Sequence, residues 1–178
     1  MSILDFRMSG RYHSPGIISG PITTCALTID RLYAVPFYCG PARSFDRIGY
    51  RVTTYKAGAK TRLGIYLDND SIYPGTLVKE SAELDGNVNQ FWEDTIDWTS
   101  VVGKLYWLSL ITNQTISVRA MTMGYGVCSM FGRLAATDNT QESYLYVARA
   151  YGAFPATFPN SPTYNSTLAI PAVFLRSV

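Results

Sequence analysis

Alternation of apolar and polar residues with a period of two dominates the chain. Ile48, Tyr50 and Val52 share one face of a segment whose other face carries Arg, Gly and Thr. Residues 62–67 repeat the pattern, with Leu and Ile at every second position. A period of two is typical of β-strands that bury one face.

Further segments of the same kind follow along the chain. The strand candidates, taken together, are residues 25–29, 32–38, 46–54, 62–67, 76–84, 89–96, 104–112, 115–121, 144–149 and 168–175. Residues 104–111, K-L-Y-W-L-S-L-I, are apolar on both faces, which predicts a central strand covered on both sides. Trp107, inside this strand, is predicted to belong to the core.

Turn residues separate these strands, and no window predicts a long amphipathic helix. Clusters of Gly, Pro, Asn and Asp occupy residues 14–21, 68–75, 84–87 and 154–162. Short strands between such turns indicate a sandwich or barrel. We therefore expect one all-β domain over residues 23–178, a two-sheet antiparallel β-sandwich that is jelly-roll-like.

Residues 1–22 differ from the rest because they are rich in Gly and Pro and weak in strand signal. They predict an extended N-terminal arm for attachment or assembly, with Leu4, Phe6 and Tyr12 as its contact residues. Asp5 and Arg7 interrupt the apolar run that a signal peptide would need, so none is expected.

Composition narrows the function classes. Of 178 residues, 47% are hydrophobic and 16% charged, with a net charge of +2 and no run of basic residues. Nucleic-acid binding is therefore not expected. No apolar run reaches the roughly eighteen residues of a membrane span, so membrane insertion is not expected either. A Tyr-rich surface with little charge suits contact with other copies or partners.

Cysteine and histidine usage gives no sign of a metal or catalytic centre. Cys25, Cys39 and Cys128 show no C-x-x-C spacing, and His13 is the one histidine, so a zinc site is not expected. Free buried thiols, in a protein folded in a reducing cytoplasm, are the favoured interpretation. His13 is expected in a surface loop, without the partners of a Ser-His-Asp or Cys-His mechanism.

Residues 57–62, A-G-A-K-T-R, resemble the end of a phosphate-binding loop. That motif needs Gly directly before Lys and a helix after it, whereas here Ala59 intervenes and a strand follows. The stretch instead predicts a hairpin loop with a positive φ at Gly58. Lys60 at its tip would face solvent or contact a partner.

Two acidic stretches invite a ligand interpretation. Asp68 and Asp70 flank an Asn, but the following residues do not supply the ligands of a helix-loop-helix calcium site. A turn is favoured, while a calcium site built from several segments stays open, and no cofactor is expected. The second stretch holds Glu93, Asp94 and Asp97, where a glycosidase pair is possible but a solvated strand edge is favoured.

Two tryptophans are candidate contact residues. Exposed aromatic rings stack on sugars and anchor interfaces, whereas buried ones fill a core. For Trp92 and Trp98 both interpretations stay open, and each is a candidate contact for a glycan or a partner protein.

Four motifs resemble a β-sandwich module of tailed-bacteriophage virion proteins, notably tail-fibre and adhesion proteins. They are L-Y-A-V-P-F-Y (32–38), F-D-R-I-G-Y-R-V-T-T (45–54), R-L-G-I-Y-L-D-N-D-x-x-Y-P-G-T-L-V (62–78) and K-L-Y-W-L-S-L (104–110). The resemblance covers about residues 24–120 and is structural. Val102 stands before Gly103 where many relatives have Pro-Gly.

The resemblance implies a non-enzymatic virion protein, assembled in the host cytoplasm beside other virion proteins and commonly trimeric. The leading hypothesis is a receptor-binding module of a tail fibre, anchored by its arm and contacting a host surface glycan. The alternative is a capsid decoration protein that clamps capsid subunits. A glycan depolymerase using Glu93, Asp94 or Asp97 is the third possibility.

Overall fold

The computed structural model describes residues 9–14, 21–122, 142–165 and 169–178. The strands in chain order are β1 (Tyr12–His13), β2 (Ile22–Ala26), β3 (Arg31–Tyr38), β4 (Ser44–Thr54), β5 (Lys60–Asp68), β6 (Pro74–Glu80), β7 (Leu84–Asp85), β8 (Phe91–Thr99), β9 (Leu105–Thr112), β10 (Ser117–Thr122), β11 (Tyr144–Ala148), β12 (Thr163–Asn165), β13 (Ala169–Pro171) and β14 (Val173–Ser177). No helix occurs within the described ranges. The prediction of an all-β, two-sheet antiparallel sandwich is confirmed.

The first sheet forks at β4, its longest strand. One edge of β4 pairs with β8, while the other pairs first with β14 and then with β10. β1 continues the sheet beyond β14, β2 continues it beyond β10, and β13 pairs with β10. The segment from β13 to β14 therefore changes partner at Ala172, whose N–H donates to the carbonyl of Arg119 at 3.0 Å.

The second sheet runs in the order β12-β11-β3-β9-β5-β6, and β7 also pairs with β5. Its inner face packs on the inner face of the first sheet and forms the main core. Large members of that core, all buried, are Phe37, Leu63, Ile65 and Leu108 from the second sheet and Phe45, Ile48, Tyr50 and Leu175 from the first. Burial of each such side chain stabilises the fold by about 1.5–3 kcal/mol.

The outer face of the second sheet is also covered. Residues 149–159, here called the covering segment, place Phe154 and Phe158 against Tyr66 and Trp107. The Phe158 ring meets the Tyr66 ring edge-on at 5.2 Å. Backbone bonds fix the segment to the edge of the sheet, because Leu77 N–H donates to Ala156 O and Phe158 N–H to Gly75 O, both at 2.9 Å. The prediction that β9 is covered on both sides, with Trp107 in the core, is therefore confirmed.

The loop after β4 departs from the hairpin prediction. Gly58 has the expected positive φ of 73°, and Ala59 N–H closes the turn on Lys56 O at 3.1 Å. However, β4 belongs to the first sheet and β5 to the second, so the loop crosses between sheets. The hairpin prediction was wrong, because alternation tells which residues share a face and not which strand lies alongside.

The described part of the predicted arm lies on the sandwich. β1 pairs with β14, and Gly10 N–H donates to Ser177 O at 2.7 Å. His13 is half-buried in this strand, with Nε2 3.1 Å from Ser177 Oγ, so its prediction as a surface-loop residue was wrong. Residues 1–8 and 15–20, with the predicted contacts Leu4 and Phe6, lie outside the described residues.

Candidate functional site

A groove of about 390 Å³ lies on the outer face of the first sheet. Its lining side chains, called the aromatic groove below, are Tyr12, Arg51, Phe91, Arg119 and Phe174. Each comes from a different strand of the sheet, namely β1, β4, β8, β10 and β14. The volume falls within the range of small-molecule sites, roughly 300–1,000 Å³.

Strand alternation explains why these side chains point outward. Arg51 lies between the buried residues Tyr50 and Val52 of β4, and Arg119 lies between two buried residues of β10. Phe174 likewise separates Val173 from a buried leucine in β14. Because successive side chains of a strand leave on opposite faces, a residue between two core residues faces out.

Ring contacts order the apolar part of the groove. The centroids of Phe91 and Phe174 are 5.8 Å apart, and Tyr12 meets Phe91 edge-on at 5.1 Å. Phe91 lies directly over Gly49, where a Cβ atom would be 2.7 Å from Cζ of the ring. Gly49 therefore provides the space that holds Phe91 against the sheet.

The phenol of Tyr12 donates a hydrogen bond to the carboxylate of Glu93. Partial burial and this carboxylate raise the pKa of Tyr12, so the phenol stays protonated at neutral pH. Arg47 Nε lies 3.8 Å from the same carboxylate. Arg176 pairs with Asp46, with Nε 2.8 Å from Oδ1, and the pairing lowers the pKa of Asp46.

Arg51 and Arg119 differ from these paired arginines. Within the described ranges neither forms an ion pair, and Nε of Arg119 is buried without a hydrogen-bond partner. The other N–H groups of these half-buried guanidinium groups line the groove, where a ligand can reach them. The aromatic groove thus combines three rings with two free cationic groups.

The predicted contact residue Trp98 lies in the core. It is 8% exposed, stacks on Phe45 at 5.3 Å and meets Tyr106 edge-on at 4.8 Å. Trp92 is half-buried, packs against the same core, and its Nε1 has no hydrogen-bond partner within the described ranges. Both lie opposite inward-facing residues of β4 and point toward the core, and their role as glycan or partner contacts stays a prediction.

The outward-facing aromatic residue of β8 is Phe91, which the sequence reasoning did not select. The parity of the strand carries the signal, since Trp92, Ile96 and Trp98 share one face and Phe91 lies on the other. Tyr12, which is predicted as a contact residue of the arm, forms one wall of the groove.

Lys60 was predicted at the tip of a loop, but it is the first residue of β5. Its Nζ is 2.6 Å from the carboxylate of Asp85 and 3.8 Å from that of Glu83. The hydrogen bond to Asp85 raises the pKa of Lys60. The Lys60 side chain is 41% exposed, so it faces solvent while paired with these carboxylates, and its role as a partner contact stays a prediction.

The acidic turn after β5 has the hydrogen bonds that the sequence predicted. Asn69 Oδ1 accepts from Ser71 N–H at 3.0 Å, and Asp68 accepts from Ile72 N–H at 3.3 Å. Asp68 also accepts from Trp107 Nε1 at 2.8 Å, while Asp70 lies 3.5 Å from the ammonium of Lys104. Within the described ranges, no group of three or more His, Cys, Asp or Glu residues is placed to hold a metal ion.

The acidic residues of β8 do not converge on one site. Glu93 faces outward toward Tyr12, whereas Asp94 accepts hydrogen bonds from Ala82 N–H at 2.6 Å and Thr95 N–H at 2.8 Å. Glu93 and Asp94 are neighbours in a strand and so leave on opposite faces. Asp97 is exposed further along the strand.

Cys25 and Cys39 are buried free thiols, as predicted, and Cys128 lies outside the described residues. Burial raises the pKa of Cys25, which keeps it an unreactive thiol at neutral pH. In the part of the chain that the structure describes, no helix is long and apolar enough to cross a bilayer.

No family model matches the chain, and a comparison with curated proteins likewise finds no match.

Proposed function

We propose that this chain is a non-enzymatic structural protein of a tailed-phage virion that binds a host surface glycan through the aromatic groove. The observation that carries the proposal is the placement of Tyr12, Phe91 and Phe174 together on the outer face of the first sheet. Aromatic faces stack on the apolar faces of sugar rings, and the groove offers these rings on rigid strands.

The virion setting rests on the resemblance of residues 24–120 to the sandwich module of tail-fibre and adhesion proteins. In that setting the chain is assembled in the host cytoplasm, beside other virion proteins, as a homotrimer that its N-terminal arm anchors to the particle. Trimerisation would place several grooves on one fibre, and several weak sites acting together bind a surface strongly.

Binding of purified protein to host surface polysaccharide tests the proposal. The double substitution Phe91→Ala with Phe174→Ala should abolish binding and leave the protein folded, because both rings are only partly buried. Tyr164→Ala is the matched control, since Tyr164 is 41% exposed on the second sheet, away from the groove. Equal binding by the double variant and the wild type would refute a role of the groove.

A second candidate function is capsid decoration, and one observation favours it. Loops 39–43, 69–73 and 100–104 meet at one end of the sandwich, where Gly103 N–H donates to Gly40 O at 3.0 Å and Lys104 Nζ lies 3.5 Å from Asp70 Oδ1. Exposed apolar side chains on or beside these loops are Tyr38, Ile72, Val101 and Val102, at 44–67% exposure. Such an apolar end suits contact with a neighbouring subunit.

Copy number and position in the virion separate the two candidates. A virion reconstruction with a few copies at the tail supports the receptor-binding module and excludes decoration. Hundreds of copies on the capsid shell would support decoration and exclude the receptor-binding module.

A further inference from the structure

We infer that the ligand of the aromatic groove is an acidic glycan whose carboxylate pairs with Arg51 and Arg119; the inference rests on the proposed glycan-binding function. The starting observation is the unequal pairing of the arginines on this face. Arg47 and Arg176 each have a carboxylate partner, whereas Arg51 and Arg119 have none within the described ranges.

Strand geometry places the two unpaired arginines next to each other. Val52 of β4 lies opposite Val118 of β10 in antiparallel register. Arg51 precedes Val52 and Arg119 follows Val118, so the two side chains leave neighbouring strands on the same face. Like charges at neighbouring positions of adjacent strands repel each other, and a bound anion removes that repulsion.

The donor chemistry selects a planar acid. A guanidinium offers parallel N–H groups that match the two oxygens of a carboxylate, and the bond is charge-assisted. Arg51 and Arg119 both line the groove and are only partly buried, so their accessible N–H groups can meet such a carboxylate. Phe91 and Phe174 lie beside these arginines in the groove. A sugar ring that carries its own carboxylate would therefore contact the aromatic side chains and the arginines together.

The charges around the groove argue against a continuous polyanion such as nucleic acid. Glu93 and Asp46 lie on the same face, bonded to Tyr12 and Arg176 respectively. A phosphate chain that crossed the sheet would pass these carboxylates and be repelled. A sugar with a single acid group reaches the two arginines without that contact.

An array that carries acidic host glycans, each beside its carboxyl-reduced counterpart, tests the inference with the full chain. Wild-type protein should bind the acidic member of a pair and bind the reduced member at least tenfold more weakly. Arg51→Gln and Arg119→Gln should each weaken binding to the acidic member about tenfold to a hundredfold, the range for a lost charge-assisted hydrogen bond.

Lys56→Gln is the matched control, because it removes one positive charge from an exposed loop residue outside the groove. It should leave affinity unchanged, and the melting temperatures of all variants should show that each is folded. A single-stranded oligonucleotide at equal charge concentration is the competitor, and it should not displace the glycan.

Each outcome decides between specific alternatives. Equal binding to the acidic and reduced members, lost in Phe91→Ala with Phe174→Ala, refutes the acidic ligand and keeps the glycan-binding function. No binding to any glycan refutes both. Displacement by the oligonucleotide, with loss of oligonucleotide binding in Arg51→Gln, makes the groove a nucleic-acid site and overturns the inference.

Discussion

The ring of Phe154 occupies the space where a side chain at Gly64 would begin. A Cβ atom built on Gly64 of β5 lies 2.2 Å from the Phe154 ring. The covering segment therefore packs on the second sheet at a place where the sheet has no side chain. This contact, together with Glu80 Oε1 accepting from Phe154 N–H at 3.1 Å, fixes the segment to the sheet.

Gly64→Ala should displace Phe154 and lower the free energy of unfolding by about 1–3 kcal/mol, as expected for overpacking. Urea denaturation measures the change. Gly152→Ala is the control, since a Cβ there meets no atom within 4 Å, and it should be neutral or slightly stabilising. Wild-type stability of Gly64→Ala would mean that the ring does not lie against β5.

Trp98→Ala should lower the free energy of unfolding by about 3–5 kcal/mol, because it opens a cavity between Phe45 and Tyr106. Tyr55→Ala, which removes an exposed ring, should change it by about 0.5 kcal/mol or less. Chemical denaturation compares the two. If Trp98→Ala is as stable as Tyr55→Ala, Trp98 is not a core residue.

Stability should fall between about pH 10 and about pH 12 in part through Tyr50, whose burial raises its pKa from 10.0 to about 12. The unfolded chain loses the phenol proton first, so rising pH favours unfolding across that window. A rise of the Tyr50 pKa from 10.0 to about 12 corresponds to about 3 kcal/mol of stability. Tyr50→Phe, which cannot ionise, should show a shallower decline of the denaturation midpoint over the same pH range.

Other tyrosines also titrate late, so the comparison of slopes is the measurement that isolates Tyr50. Burial raises the pKa of Tyr73 to about 12 and also raises that of Tyr66. Tyr50→Phe also leaves Asp85 O without the hydrogen bond that it accepts from Tyr50 at 2.6 Å. Its stability at pH 7 is therefore lower, while identical slopes for variant and wild type would contradict the prediction.

Deletion of residues 1–20 should leave a folded sandwich that binds the glycan more weakly, because it removes Tyr12 from the groove. The loss of the short β1 ladder should cost about 1–3 kcal/mol of stability. Deletion of residues 1–8, which keeps β1, is the control. Affinity and melting temperature are measured for both, and unchanged affinity of the longer deletion would remove Tyr12 from the site.

Alternation with a period of two predicted the strands and their buried faces. A strand that buries one face has apolar residues at every second position, so the pattern follows from the burial. The partners of each strand were not accessible in this way: Lys60 was placed at a hairpin tip, yet β4 and β5 lie in different sheets. Some strand ends also differ from the predicted ones, because backbone pairing determines where a strand ends. Residues 168–175 divide at Ala172, where the chain changes partner from β10 to β4.

The groove was harder to foresee than the fold. It joins Tyr12 to Phe174 across most of the chain length, and only the register of five strands brings its residues together. Trp92 was a predicted contact residue, whereas the aromatic residue of β8 that faces outward is Phe91. The alternation along β8 separates Phe91 from Trp92, but the sequence alone does not show which of the two faces packs on the core.

The interleaving of groove and core positions bears on how such a protein can change over generations. Arg51 and Phe174 each lie between residues whose side chains hold the sandwich together. Substitution at the outward positions leaves those neighbours untouched, so ligand preference can drift while the fold is retained. Under the proposed function, recognition of the glycan could therefore change one position at a time with little loss of stability.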